Sequence, residues 1–563
     1  MDNLQKLKNA KNLSDVASLL GFKSSALSYI LYVMPTSEKY TLFDIPKKNG
    51  GTRTIKAPEM TLKNLQRRLS NVLNGCLREI EKTAPNNLAH GFKEGYSIQT
   101  NAKCHTKKRY VLNIDLKDFF PSFNFGRVRG FFIKNNHFQL DSDVATILAQ
   151  IACHDNELPQ GSPCSPVISN LIAHILDVRM VHVAKKNHCT YSRYADDITF
   201  STSQKTFPSD IANYVSDKWI VSDYVKTKVE RCGFEINESK TRMQHKDRRQ
   251  SVTGLIANRK VNVRKEYYKN ARAMLFHFIT TGNYFTKSMI NPLDTGEEKV
   301  ILNDLNILDG IVSHIVYTKS FNKDREDRPV MLNRSFYKLI ERYQYLKYFG
   351  LSDKPLIVTE GKTDIGHLKF ALMKLHKRYP SLVTENGGNY AFQLSFLKHN
   401  KKFMGITGGS GDLNRVISSY DDIVAKIPAW APLNPVILFV DNDSGIKSIA
   451  KTINNKFKKN VSVSEDDDFT YLTKNMYLVK TPHVEGLTET CIEDFYARRW
   501  LEVKLDGKKF NKTNKNTPDS YSKEIFLKAI IAKNYNSISF DNFKPILERL
   551  EKVLLDWENR KKS

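Results

Sequence analysis

Residues 191–201 read YSRYADDITFS, and the adjacent carboxylates Asp196 and Asp197 constrain the fold more than any other feature of this chain. Apolar, aromatic and β-branched residues enclose them. Like charges held side by side near a core repel, and burial adds to the cost, so something must neutralise them. CTYSRY and ITFST have strand character, which puts the pair in a turn between two strands. Carboxylates on a tight turn can share divalent cations. Hard oxygen ligands favour Mg²⁺, which keeps some water and takes substrate phosphates as further ligands. Two metal ions about 4 Å apart need more carboxylate than one pair supplies. Asp115, at the end of the apolar run in RYVLNIDLKDFF, is the best third ligand, because its strand can lie beside the hairpin. Such a site activates a sugar hydroxyl at one metal and clamps a triphosphate at the other, which is nucleotidyl transfer.

Charge points the same way. The formal net charge is +27, which favours a polyanionic partner, nucleic acid above all. Residues 351–563 hold 34 Lys+Arg against 26 Asp+Glu, a net +8; the remaining 53 against 34 leave +19 on residues 1–350. The larger N-terminal part is therefore the expected main nucleic-acid platform. The seven cysteines are scattered without a C-x-x-C pair, which suggests neither a zinc site nor a disulfide framework and fits a reducing cytoplasm. No uninterrupted apolar run reaches about 18 residues, so no membrane association is expected.

Along the chain, LSDVASLLGFKSSALSYILY predicts two short helices with Ser14 as N-cap. YTLFDIPKKNGGTRTIKAP predicts a hairpin about KNGG, residues 61–82 an amphipathic helix, and SPVISNLIAHILDVRM a helix opened by Ser165-Pro166. Residues 211–232 are expected to be helical, GFEINESKT a strand and turn, residues 264–281 a basic helix, and 318–332 a charged surface connection. After residue 353 strands alternate with helices: PLIVTEG, then IGHLKFALMKLH, and PVILFVDND, then IKSIAKTI. That alternation predicts a parallel α/β sheet. SEDDDF at 464–469 predicts a solvated loop, and residues 501–563 end in helical patterns.

Five blocks lie in one order: KKNGGTRTIKAP, NIDLKDFFPSF, LPQGSPCSPVISN, YADDITFS and GFEINESKT. Together, over residues 46–241, they resemble the fingers and palm of a reverse transcriptase. The resemblance implies an α+β right-hand polymerase with a helical thumb, with Asp115, Asp196 and Asp197 as its metal-binding catalytic triad. Phe120 matches the aromatic gate that excludes a ribose 2′-hydroxyl, which implies dNTP substrates; core packing is compatible with the same residue. Gln160 matches a residue lining the nucleotide pocket, Arg53 the cation gripping the triphosphate, and Lys240 a residue neutralising pyrophosphate. NAKCH (Asn101, Ala102, His105) and SVTGLIAN (Val252, Thr253, Gly254) resemble the NAxxH and VTG elements of the retron type. Retron enzymes associate with a cognate structured noncoding RNA. They copy part of it from a 2′-hydroxyl primer into a branched RNA–DNA hybrid (msDNA). The resemblance implies RNA-recognising roles for Asn101, His105, Val252, Thr253 and Gly254. VRKEYYKNARAMLFHF mixes cations with aromatic rings, as structured or single-stranded RNA requires; a solvated amphipathic helix gives the same pattern.

A second constellation follows. Glu360 ends one apolar strand with Asp364 four residues on, and Asp441 and Asp443 follow another. Strand ends on one edge of a parallel sheet form ligand sites. Alternate residues of an extended segment point the same way, so Asp441 and Asp443 are expected to converge on one cation, with Glu360 as further ligand or general acid/base. Glu493 and Asp494 are either added ligands or a solvated helix start. The spacing resembles a TOPRIM domain, a Rossmann-like module of topoisomerases, primases and nucleases, which implies a further Mg²⁺ and a nucleic-acid substrate. The resulting expectation is multidomain: fingers and palm over 1–250, thumb, RNA-recognition region and connection over 251–350, TOPRIM over 354–500, and a helical extension over 501–563. Function follows as an RNA-directed DNA polymerase with a fused nuclease effector in anti-phage defence, compatible with a homo-oligomer. The alternative is another prokaryotic reverse transcriptase carrying a non-catalytic binding module.

Overall fold

The computed structural model describes residues 2–47, 50–287, 299–302, 304–321, 332–399, 402–512 and 517–562. Lys48 and Asn49 of the expected hairpin turn, and residues 322–331 of the expected connection, lie outside these. The chain divides into two compact units. Among the described residues, one comprises those within 2–268 and 313–321; the other comprises those within 269–287, 299–312 and 332–562. The region expected as 251–350 thus contributes to both.

In the first unit, β1 (Tyr40–Pro46) and β2 (Thr52–Pro58) form a continuous antiparallel hairpin from Tyr40↔Pro58 to Pro46↔Thr52. β3 (Tyr110–Lys117), β4 (Thr190–Tyr194), β5 (Asp197–Thr202) and β6 (Glu235–His245) make an antiparallel sheet of order β4-β5-β3-β6. β3 is buried along VLNIDL, as expected of a central strand. Helices Met60–Thr83 and Ser165–Lys186 bury Leu65, Leu69, Leu73, Val167, Ile168 and Leu176 in the same core as Leu112, Ile114, Ile198 and Phe200. Pro166 sits in the first turn of Ser165–Lys186, where its missing N–H costs nothing. That helix is apolar and long enough to cross a bilayer by length and composition, but about two thirds of its most apolar window is buried inside the protein.

Three local expectations change. Asn12, not Ser14, caps helix Leu13–Leu20, accepting from Asp15 N at 3.0 Å. Residues 212–221 are not helical: Ala212–Val215 pairs with Lys218–Val221 about Ser216 and Asp217, both at positive φ. That two-residue turn matches strand twist, and helix is confined to Asp223–Glu230. The turn expected at the end of GFEINESKT is a bulge inside the edge strand β6, whose register against β3 jumps from Asp115↔Asn237 to Asn113↔Arg242.

In the second unit, β7 (Leu356–Thr359), β8 (Ser395–Phe396), β9 (Val436–Val440), β10 (Thr470–Thr473) and β11 (Met476–Lys480) form a sheet of order β8-β7-β9-β11-β10. The first four in that order are parallel and β10 is an antiparallel edge. β9, VILFV, is buried at every position, the signature of a central strand of a covered parallel sheet. The C-terminal segment belongs to this core: Phe526, Ile530, Phe543, Leu547, Leu550 and Trp557 pack in one cluster with Ile437, Phe439 and Tyr477.

Candidate functional site

The palm carboxylates meet because of strand register. Asp115 on β3 is paired directly with Asp197 on β5, and Tyr194 on β4 is paired with Asp197 from the other side. Directly opposed residues hold their β-carbons about 5 Å apart. Ala195, at φ 54, turns the chain between the strands, and Asp196 O accepts from Leu116 N at 3.0 Å. Three carboxylates thus share one sheet edge. Burial pushes the Asp196 carboxyl above its usual range. For Asp197, burial and the neighbouring Asp196 and Asp115 charges push it up to about 6.

Lys240, on β6, lies 3.0 and 3.2 Å from the two Asp115 oxygens. Arg53, exposed on β2, lowers the Asp196 pKa through its charge. Phe120 is partly buried against Phe119 and Phe92, ring centroids 5.5 and 6.1 Å away. Gln160 presents its carbonyl to Lys56 N at 2.9 Å, tying LPQG to the hairpin. Gly161, at φ 120, permits that approach, since a β-carbon there would lie 2.6 Å from Lys56 O. The donors are hard oxygens, as Mg²⁺ requires. Among the described residues no three acidic, His or Cys side chains already surround one point, and Lys240 holds Asp115 instead.

Behind the turn lies a network that the sequence reading missed. Arg193 and Asp177 are both 0 % exposed and joined bidentately, Nε–Oδ1 2.7 Å and Nη2–Oδ2 2.8 Å. Arg193 Nη1 also donates to Ala195 O at 3.0 Å, inside the YADD turn, and Tyr191 Oη donates to Asp177 Oδ1 at 2.8 Å. A β-carbon on Gly91 would meet Ala195 N at 2.7 Å, so the loop between helices Met60–Thr83 and Ile98–Cys104 also braces the turn. The sequence signal was an Arg three residues before a carboxylate pair, with its partner 16 residues earlier on the preceding helix.

Three RNA-contact expectations are corrected, those for Asn101, His105 and Val252. Asn101 and His105 are fully buried. His105 bonds Ser201 Oγ and Ser192 Oγ, each at 2.7 Å, and Ser192 donates to Asn101 at 2.5 Å. The NAxxH element therefore fastens helix Ile98–Cys104 to β4 and β5. Val252 is also fully buried; Thr253 bonds Ile98 O at 3.2 Å, and Gly254, at φ 81, is exposed. Of the five residues, Thr253 and Gly254 remain at the surface. Burial lowers the His105 pKa to about 3. A lowered histidine pKa gives stability present above 6.5 and lost as pH falls, about 2 kcal/mol between pH 7 and pH 5. His105→Gln should flatten this part of the melting temperature's pH dependence; an unchanged slope would count against a neutral, buried His105.

In the second unit the carboxylates divide. Connections from β7 and β9 leave toward opposite sides of the sheet, so Glu360 and Asp441 follow strands flanking a topological switch point. Glu360 faces Asp443: a β-carbon on Gly445 would lie 2.9 Å from Asp443 Oδ1 and 3.3 Å from Glu360 Oε1. Burial, Asp443 and Asp364 push Glu360 up to about 7, and its Oε2 is buried without a hydrogen-bond partner. Asp441 turns instead to Ile492 N at 3.0 Å and to Lys523. Asp441 and Asp443 therefore do not converge, because the chain leaves the extended conformation after Asn442 pairs with Thr490. Asp364 is buried, accepts from Gly361 N at 2.7 Å and is raised to about 6 by burial and Glu493. Glu493 is fully buried beside Lys523, whereas Asp494 caps its own turn at Cys491 N. No three of these side chains surround one point among the described residues.

The sequence profile of the reverse transcriptase (RNA-dependent DNA polymerase) family matches residues 45–262. The chain is 33% identical over 272 residues to the retron Ec86 reverse transcriptase of Escherichia coli, covering 47% of this chain and 78% of that one. The chain belongs to the retron reverse transcriptase family. Its first unit accordingly has the polymerase-type fold of that family. It is 34% identical over 278 residues to the retron Mx65 reverse transcriptase of Myxococcus xanthus and 35% over 275 residues to the retron Mx162 reverse transcriptase of the same organism. Each alignment covers 46% of this retron-family chain, which spans 61% and 55% of the length of those two relatives.

Proposed function

We propose that this chain copies part of a cognate structured RNA into DNA, priming from a 2′-hydroxyl of that RNA to leave a branched RNA–DNA product. The observation that carries the reading is the direct pairing of Asp115 with Asp197, with Asp196 in the adjoining turn. Bound Mg²⁺ would supply an acidified attacking hydroxyl and charge compensation for a triphosphate. The chain's own residues do the remainder. Asp115, Asp196 and Asp197 offer the oxygens, and Phe120 presents an aromatic ring against a ribose 2′-hydroxyl. Arg53 and Gln160 border the dNTP. Lys240, displaced from Asp115, is placed to follow phosphate charge. Thr253 and Gly254, at the surface of the first unit, are candidate contacts for RNA, and the basic helix Lys265–Thr281 separately exposes Phe276 for stacking.

The second unit, in this reading, is a TOPRIM-type Mg²⁺-dependent nuclease acting in the cytoplasm in defence against phage and restrained by the RNA–DNA product. Glu360 and Asp443 at the switch point support it. Glu360→Ala should lower Mg²⁺-dependent cleavage of DNA or RNA about 10²–10³-fold and leave primer extension within about twofold. Cleavage equal to wild type in that variant would remove Glu360 from the chemistry. A second reading, a module that only binds nucleic acid or protein, is favoured by the divided carboxylates and by Lys523 among them; wild type that binds but never cleaves would establish it.

A further inference from the structure

One face of helix Met60–Thr83 stays out of the core. Leu62, Leu65, Leu69 and Leu73 are buried, whereas Asn64, Arg67, Asn71, Asn74 and Arg78 recur at alternating intervals of three and four. That spacing sets the five on one stripe, about 21 Å long at the α-helical rise. The stripe offers amides and guanidinium groups and no carboxylate. Two clefts open on it. Phe22, Asn64 and Arg67 line the first, of about 540 Å³; Asn71, Asn74, Arg78, Phe92 and Tyr194 line the second, of about 560 Å³. Glu94 also lines the second and pairs with Arg78 at 2.9 Å, but both side chains are exposed, and such a pair holds weakly. The second cleft adjoins the turn that bears Asp196 and Asp197. Tyr194 is paired with Asp197, and the loop forming the opposite wall is fastened to the same turn: His90 N donates to Arg193 O at 2.8 Å, and Asn170 Nδ2 donates to Gly91 O at 2.7 Å. Phe92, next in the chain, has φ 57, a strained conformation for a bulky side chain, and yet is 45 % exposed. Burial therefore does not explain why an aromatic residue is held there.

We propose that this stripe is a track for single-stranded template RNA, and that the second cleft seats one unpaired base of it, stacked on Phe92. Arg67 and Arg78 meet phosphates, and the amides of Asn71 and Asn74 meet base edges. Bases inside a duplex are stacked on one another and closed to such a cleft; an unstacked base offers a face to an aromatic ring and an edge to amides. The inference rests on the reading of the neighbouring turn as the polymerase site, and its test reads binding without dNTPs, so the two fail separately.

The test uses the full chain and an RNA template annealed to a DNA primer, either blunt or with a 5′ template overhang of about 10 nucleotides. The first unpaired position carries 2-aminopurine, whose fluorescence is quenched on stacking. Arg67→Ala with Arg78→Ala should weaken binding of the overhang substrate about tenfold. It should also flatten the slope of log affinity against log salt by about 1.4, two single-strand phosphate contacts at about 0.7 each. Affinity for the blunt substrate should stay within about twofold. Phe92→Gly should abolish the quenching and weaken the overhang substrate at least about fivefold. Because glycine adopts φ 57 without strain, that variant should melt no lower than wild type. Equal losses on blunt and overhang substrates in the arginine variant overturn the proposal, as does unchanged affinity for the overhang in either variant. So does quenching in Phe92→Gly equal to wild type, or a lower melting temperature, which would make the ring part of the fold.

Discussion

Asp196→Asn with Asp197→Asn should abolish DNA synthesis, by at least about 10³-fold, while RNA binding stays within a few-fold of wild type. The asymmetry follows from where the charges sit. The two carboxylates are oxygen donors at one sheet edge, and electrostatic stabilisation of several kcal/mol is lost with them, each 1.36 kcal/mol being tenfold in rate. The basic surface that attracts RNA, +19 over residues 1–350, is untouched or slightly strengthened. Stability should move the other way. Asp197 is raised to about 6 by burial and by Asp196 and Asp115. A raised carboxyl pKa means stability that is full below the unfolded value near 3.9 and lost as pH rises through 6. At pH 7.5 without divalent ions the double variant should therefore melt at or above wild type, and the gap should narrow at pH 5. Lower stability at both pH values would show that the carboxylates are structural.

Asp177→Ala should be the most damaging substitution in the first unit outside the carboxylates. It leaves Arg193, 0 % exposed, without its bidentate partner and takes the acceptor from Tyr191 Oη. Breaking a buried pair from one side costs about 3–5 kcal/mol, because a charge is stranded in low dielectric. For a unit of this size that corresponds to a fall of about 10 °C in melting temperature. Replacing both partners, Arg193→Met with Asp177→Leu, should recover much of the stability but not the polymerase rate, since Ala195 O then loses its donor at the turn. If the double variant polymerises at the wild-type rate, the network is a fold element only. If Asp177→Ala melts as wild type does, the stranded charge has found another partner.

These two cases show what the sequence could reveal. YADD, NIDL and the hairpin about KNGG were legible because each is local: alternation, a turn signal and a strand end. The 212–221 hairpin was not, since Ser-Asp is a weaker turn signal than Asn-Gly and the flanking residues also fit a helix. NAxxH was recognised as a motif, but burial decided its role: His105 faces two serines on strands about 90 residues away in sequence. The pairing of Arg193 with Asp177 and of Lys523 with Glu493 depends on tertiary packing, for which no spacing rule exists. In the second unit, alternation placed Asp441 and Asp443 on one side. A backbone bridge from Asn442 to Thr490 ended the extended conformation first and sent them to different partners.

In the function proposed above, Asp115, Asp196 and Asp197 make DNA on an RNA that this chain itself holds. The most direct measurement is sequencing of the nucleic acid that co-purifies with the full chain, from wild type and from the Asp196→Asn, Asp197→Asn variant. One structured RNA is expected with both proteins, and DNA complementary to part of it, joined at a 2′-hydroxyl, with wild type alone. Equal amounts of that DNA with the variant, or no DNA complementary to any bound RNA with wild type, would contradict it.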